Sequence, residues 1–226
     1  MSAASLLRAV GLLTLMGCAH TPNGEGTKPP RTAETTAAPT VGVLPEGIGV
    51  PPGSPAPDAE VEFAGGGGTV SLKSLYPDGP VLLVFYRGGW CPFCNYQVHE
   101  LAQAWPEFKS RGVLPVLVSV DRVDEATKTQ ASWEIPFPVL SDPTLNAHNA
   151  WNVNFAVDDE TVKKYARFGI DLEEYSGQTH HTIAVPSMFL IDRDGVVRWA
   201  HAELDYRTRP TVDQVLAAID GAIPRG

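Results

Sequence analysis

Val81-Leu82-Leu83-Val84-Phe85-Tyr86 is an unbroken apolar run, and across Arg87-Gly88-Gly89 it leads directly into Trp90-Cys91-Pro92-Phe93-Cys94. A run without alternation marks a strand buried on both faces of a sheet. A Cys-x-x-Cys pair placed where such a strand hands over to a helix constrains the fold and points to a chemistry. Backbone N–H groups at a helix start are unpaired and carry partial positive charge, which stabilises a thiolate and lowers its pKa. The thiolate is the form that attacks.

The two sulfurs are not equivalent. At about 100° per residue, Cys94 shares a face with Val98, Leu101, Trp105 and Phe108, the stripe that packs on the sheet. Cys91 sits at the helix end, off that stripe. The expectation is an exposed, low-pKa nucleophile at Cys91 and a shielded resolving thiol at Cys94. Three other readings compete. A structural disulfide is one, but so small a loop removes only about 2 kcal/mol of chain entropy. A zinc site is another, but zinc takes four ligands and there is no second cysteine pair. Two inert buried cysteines are the third, and these have no need of a helix start.

The rest of the pattern predicts an α/β fold with a central mixed sheet flanked by helices. Glu60–Ala64 and Thr69–Leu72 read as an N-terminal β-hairpin turned by Gly65-Gly66-Gly67-Gly68. Val113–Val120 and Pro186–Ile191 read as further buried strands, and Asp194-Gly195 as a turn into a strand over Val196–His201. Helices are expected over Cys91–Arg111, Val123–Trp133 and Pro143–Trp151, with a closing amphipathic helix carrying Val212, Val215, Leu216 and Ile219. Residues 154–178, with Lys163-Lys164-Tyr165-Ala166-Arg167, read as a partly helical insertion able to cap the site.

The chain starts with one arginine and a short apolar stretch from Ala9 to Met16, a secretory signal too short to span a bilayer. Leu15-Met16-Gly17-Cys18 resembles the bacterial lipobox, which implies cleavage before Cys18 and lipidation of its sulfur. Residues 1–17 are therefore expected to be a signal peptide and the product a lipid-anchored protein on the periplasmic side of a bacterial envelope. Ala19 rather than Asp after the cysteine favours the outer membrane. Nine of the 20 prolines fall between Ala19 and Pro57, a stretch without Phe, Trp or Tyr, so residues 18–57 read as a disordered tether. Residues 58–226 are then the folded domain. Seventeen basic against 26 acidic side chains argue against a nucleic-acid partner, and no motif calls for a cofactor.

Phe85-Tyr86-Arg87-Gly88-Gly89-Trp90-Cys91-Pro92-Phe93-Cys94 resembles the active-site segment of peroxiredoxin-like proteins of the alkyl hydroperoxide reductase/thiol-specific antioxidant family, within the thioredoxin superfamily. The resemblance continues through Val118-Ser119-Val120-Asp121, Phe137 to Pro143 and Phe189 to Gly195. It implies a thioredoxin-like fold and a thiol-dependent antioxidant oxidoreductase that reduces hydroperoxides, re-reduced by a thioredoxin-like electron donor. Asp205-Tyr206-Arg207-Thr208-Arg209 resembles a recurring tail of this branch.

The departures from the family pattern, Pro-x-x-x-Thr-x-x-Cys plus a later Arg, carry information. Its Thr falls on Cys91, its peroxidatic cysteine on Cys94 and its Arg on Pro186. These changes approach the thioredoxin pattern, where Trp-Cys-x-x-Cys faces a cis-proline that Val185-Pro186 resembles. The thioredoxin overlay makes Cys91 the nucleophile and the peroxiredoxin overlay makes it Cys94; helix-end electrostatics and accessibility favour Cys91. Arg87 is a candidate anion stabiliser, whereas His99 is expected to face solvent. The alternative activity is protein thiol–disulfide exchange on exported clients. A non-enzyme alternative is a copper carrier using Cys91, Cys94 and His180 or His181, because imidazole and thiolate suit that metal.

Overall fold

A computed structural model describes residues 41–223. The signal-like segment, Cys18 and the first part of the expected tether lie outside the described residues. A seven-stranded mixed sheet forms the centre, in the order β2-β1-β5-β4-β3-β8-β9. Its strands are β1 (Glu60–Phe63), β2 (Thr69–Ser71), β3 (Val81–Phe85), β4 (Leu114–Ser119), β5 (Val139–Ser141), β8 (Ser187–Ile191) and β9 (Val197–Ala202). A separate two-stranded sheet pairs β6 (Asn154–Ala156) with β7 (Thr182–Ala184).

β3 lies parallel to β4 and antiparallel to β8, and all five of its residues are buried. Its side chains divide between two cores as a period of two requires. Leu82 and Val84 pack with Val98, Leu101, Phe108, Val215 and Ile219 on one face. Val81, Leu83 and Phe85 pack with Val116, Val118, Trp151 and Phe189 on the other. The continuous apolar run in the sequence is the trace of this two-sided burial. The helices are α1 (Pro92–Gln103), α2 (Trp105–Ser110), α3 (Val123–Ser132), α4 (Asn146–Ala150), α5 (Asp159–Arg167), α6 (Leu172–Ser176) and α7 (Val212–Ala222).

The mixed sheet and the hairpin agree with the sequence reading; some boundaries differ. The helix expected over Cys91–Arg111 is two, broken at Ala104. Pro106 explains the break, since it has no N–H to return to the carbonyl four residues earlier and its ring crowds that group. The short strand β5 lay inside a segment recognised only by resemblance. Asp58 is not the first ordered residue, because residues 41–57 lie along the domain. Gly53 donates its N–H to the Val197 carbonyl (2.8 Å), and Ala56 to that of Gly195 (2.8 Å). The Ala202 N–H donates to the Val43 carbonyl (2.9 Å), while Leu44 and Val50 pack against the core. Composition counts the lack of aromatic residues but does not register that the edge strand β9 has backbone groups left to satisfy.

Gly49 makes this docking possible. Its φ is +77°, and a Cβ there would come within 3.1 Å of the Phe189 ring. Gly49→Val is expected to detach the segment at a cost of about 1–3 kcal/mol in backbone strain. Hydrogen exchange should then speed up at Gly53 and Ala56 and stay slow in β3.

Candidate active site

The loop from β3 to α1 carries the chemistry and has almost no spare room. Gly88 has φ +142°, and a Cβ on it would lie 2.4 Å from Trp90 Nε1 and 2.7 Å from Asp121 Oδ1. A Cβ on Gly89 would meet Thr129 Oγ1 at 2.0 Å. Only glycine fits at either position. The Gly89 N–H donates to Asp121 Oδ2 (2.8 Å), and Asn95 Nδ2 donates to the Gly89 carbonyl (2.7 Å). These bonds set the loop so that Cys91 becomes the N-cap residue of α1, with Pro92 in its first turn.

Cys91 and Cys94 are free thiols whose sulfurs lie 2.8 Å apart, with Cys94 donating. That donation is the main reason the Cys91 pKa falls to about 6. Burial opposes the fall, while the Cys94 backbone N–H and the charges of Arg87 and Arg209 add to it. Cys94 moves the other way. Burial, then its bond to Cys91 and the charge there, push it well above the ordinary thiol value. One sulfur thus carries the charge and the other the proton.

Beneath the loop, Asp121 is completely buried. Its Oδ2 accepts from Gly89 and from Ser119 Oγ (2.9 Å), while Oδ1 has no hydrogen-bond partner among the described residues. Burial raises its pKa to about 7 against the lowering effect of those two bonds. The Tyr86 hydroxyl, in the same pocket of the core, is also raised by burial and then by the Asp121 charge.

The expected exposure of Cys91 is not met: it is 1% accessible and Cys94 0%. The loop after β9 contributes residues over the site. Tyr206 lies 4.0 Å from the Arg87 guanidinium and meets the Phe93 ring at 5.7 Å. Arg209 Nη2 reaches Cys94 Sγ at 3.6 Å. Arg87 is itself buried and donates to the Tyr165 hydroxyl from α5, so the 154–178 segment does lie against the site. Trp90 also packs on Tyr165, with ring centroids 5.6 Å apart.

Pro186 requires a correction. The described residues contain no cis peptide bond, so Val185–Pro186 is trans. It immediately precedes β8, a position that tolerates a missing N–H, and its carbonyl accepts from Glu203 (3.1 Å). The copper ligand set is not assembled either. His180 Nε2 meets the Pro143 carbonyl (2.9 Å) and His181 Nε2 meets Glu173 (2.8 Å). Among the described residues no group of three or more His, Cys, Asp or Glu could hold a metal. His99, expected to face solvent, is half-buried and packs beside Trp133.

A cavity of about 220 Å³ opens on the site side of the molecule. Arg87, Pro186, Tyr165 and Tyr206 line it together with Phe155 and Leu204, so it shares Arg87 with the dithiol. Its wall is mostly apolar, with one cation, Arg87, and one carboxylate, Asp158.

The AhpC/TSA family model matches residues 52–200, a span that holds the dithiol, Asp121 and Pro186. The chain belongs to the AhpC/TSA family. It is similar to Peroxiredoxin 2 of Sulfuracidifex metallicus, 28% identical over 134 residues, which are 56% of this chain and 52% of that protein. It is also similar to the thiol-disulfide oxidoreductase ResA of Bacillus thuringiensis, 26% identical over 132 residues, 58% of either chain. The chain thus spans about half to three fifths of these curated relatives. The fold is shared with the peroxidoxin BcpB of Mycobacterium tuberculosis, with a TM-score of 0.61 at 20% identity. That match covers 79% of this chain and 99% of the other.

The split between the two sulfurs has a direct readout. Alkylation of Cys91 should rise through a midpoint near pH 6 and level off at neutral pH, where an ordinary thiol would still be climbing. Because the folded value lies below the unfolded one, this ionisation adds stability that is complete above the unfolded pKa. It is lost as pH falls through about 6. Cys91→Ala should remove that contribution from the pH dependence of urea unfolding.

Proposed function

We propose that the chain is a thiol-dependent oxidoreductase that reduces hydroperoxides, with Cys91 attacking and Cys94 resolving. The observation that carries this reading is the sulfur pair 2.8 Å apart at a helix start, its charge on one atom and its proton on the other. In the first step the Cys91 thiolate attacks the terminal oxygen of ROOH. The O–O bond breaks, sulfur is oxidised to a sulfenic acid, and the alkoxide takes a proton and leaves as ROH. Cys94 then gives up its proton and attacks Cys91; an S–S bond forms and hydroxide leaves as water. A dithiol donor of thioredoxin type returns two electrons and two protons. The family's Arg position holds Pro186, and Arg87 is placed to favour the anion instead.

A second reading has its own support. Phe93 and Tyr206 are partly exposed and Leu204 largely so, which offers an apolar approach suited to a protein disulfide. The similarity to ResA points the same way. Both readings use the same dithiol cycle and differ in what oxidises it.

We further propose that Cys18 carries a lipid anchor, on the periplasmic side of the envelope; the signal-like Ala9–Met16 stretch ahead of it supports this. Cys18→Ser should move the protein from the membrane fraction to the soluble one.

Peroxide consumption with dithiothreitol, run beside insulin reduction, decides between the two oxidants. Steady peroxide turnover is expected, abolished in Cys91→Ser. With dithiothreitol left out, Cys94→Ser should consume a single equivalent and keep a trappable sulfenic acid on Cys91. Fast insulin reduction without peroxide turnover would favour the second reading, and an adduct surviving only in Cys91→Ser would reverse the two cysteine roles.

A further inference from the structure

The Asp205-Tyr206-Arg207-Thr208-Arg209 segment, which the sequence could not connect to any chemistry, is built as a hydrogen-bonded turn. Asp205 grips its own loop: its carboxylate accepts from Arg207 Nε (2.8 Å), Arg207 Nη2 (2.8 Å) and the Arg207 N–H (3.1 Å). Thr208 returns its N–H (3.0 Å) and hydroxyl (2.9 Å) to the Asp205 carbonyl. The turn presents Arg209 to the buried end of the dithiol. Nη1 donates to the carbonyls of Tyr206 (2.7 Å) and Thr208 (2.6 Å), and Nε to Gln97 Oε1 (3.0 Å), one turn along α1 from Cys94. Three bonds therefore fix the guanidinium plane, and its remaining edge points at Cys94 Sγ, 3.6 Å from Nη2.

We propose that Arg209 is a catalytic residue for the resolving half of the cycle, holding its charge on Cys94 Sγ when that sulfur becomes an anion. The inference rests on the Cys91–Cys94 cycle proposed above and is independent of which oxidant drives it. During re-reduction the donor thiolate attacks Cys91 Sγ. A mixed disulfide forms, the Cys91–Cys94 bond breaks, and the electron pair goes to Cys94 Sγ. That sulfur is fully buried, so without a cation its charge would have the Arg87 backbone N–H as its main polar support in an otherwise apolar pocket. A guanidinium stays charged at every working pH and supplies the missing solvation. A second donor thiol then displaces Cys91 as thiolate, and Cys94 takes up a proton. The same contact serves the reverse movement, when Cys94 loses its proton to attack the Cys91 sulfenic acid. Both guanidinium charges favour the Cys91 anion, but the side-chain contact to Cys94 Sγ is made by Arg209.

The test uses the oxidised full-length protein and dithiothreitol as the donor. Opening of the Cys91–Cys94 disulfide should slow about ten- to a hundredfold in Arg209→Gln, the value of a hydrogen bond to a charged group. Arg209→Lys should recover most of the rate, although Lys cannot copy the fork that ties the loop together. Gln97→Leu, which loosens the guanidinium but keeps its charge, should fall between. Alkylation of Cys91 in a Cys94→Ser background reads the other sulfur and should change far less on adding Arg209→Gln. Wild-type opening in Arg209→Gln would overturn the proposal, as would equal slowing of both reactions or no recovery with Lys. If oxidation gives no Cys91–Cys94 disulfide at all, the underlying cycle falls and the role of Arg209 with it.

Discussion

The bond from the Gly89 N–H to the buried Asp121 carboxylate fixes the hinge between sheet and helix on which the site depends. β3 has no freedom of its own, being packed on both faces, so the loop that leaves it must turn within a few residues. Gly88 and Gly89 supply the turn because no side chain fits beside Trp90, Asp121 and Thr129. Asp121 then holds the turned backbone and Cys91 arrives as the N-cap. Without that anchor the sulfurs would still be three residues apart in sequence but not set at the mouth of the helix.

The same carboxylate gives the site an unusual charge arrangement. Two guanidinium groups approach the dithiol, Arg87 from the loop after β3 and Arg209 from the loop after β9. One carboxyl lies buried beneath, and the charge on Cys91 raises its pKa further. Since Cys91 titrates near 6 and Asp121 near 7, the two negative charges oppose each other in the neutral range. The cations favour the sulfur.

Much of this was readable in the residues. An unbroken apolar run, a Cys-x-x-Cys pair and a helical stripe through Val98 and Leu101 gave β3, α1 and the inequivalence of the two thiols. Pro106 is the local signal of the helix break. What escaped was long-range. Arg209 lies 115 positions from the sulfur it touches, and neither its direction nor the packing of Tyr206 on Arg87 and Phe93 has a local signature. Asp121 stood in a recognised segment, but a carboxylate looks the same in sequence whether solvated or sealed under a loop. The docking of residues 41–57 escaped for a related reason: an aromatic-free, proline-rich stretch can be ordered by a neighbour's unsatisfied edge.

The closeness of the two sulfurs bears on chemical wear. A sulfenic acid on Cys91 would face two competitors, a second oxidant molecule that carries it on to the irreversible sulfinic state, and the neighbouring thiol. The thiol is already 2.8 Å away, so its effective concentration far exceeds that of any dissolved oxidant. Such an arrangement favours durability: a sulfenic acid formed there closes to a disulfide before a second oxidant molecule arrives.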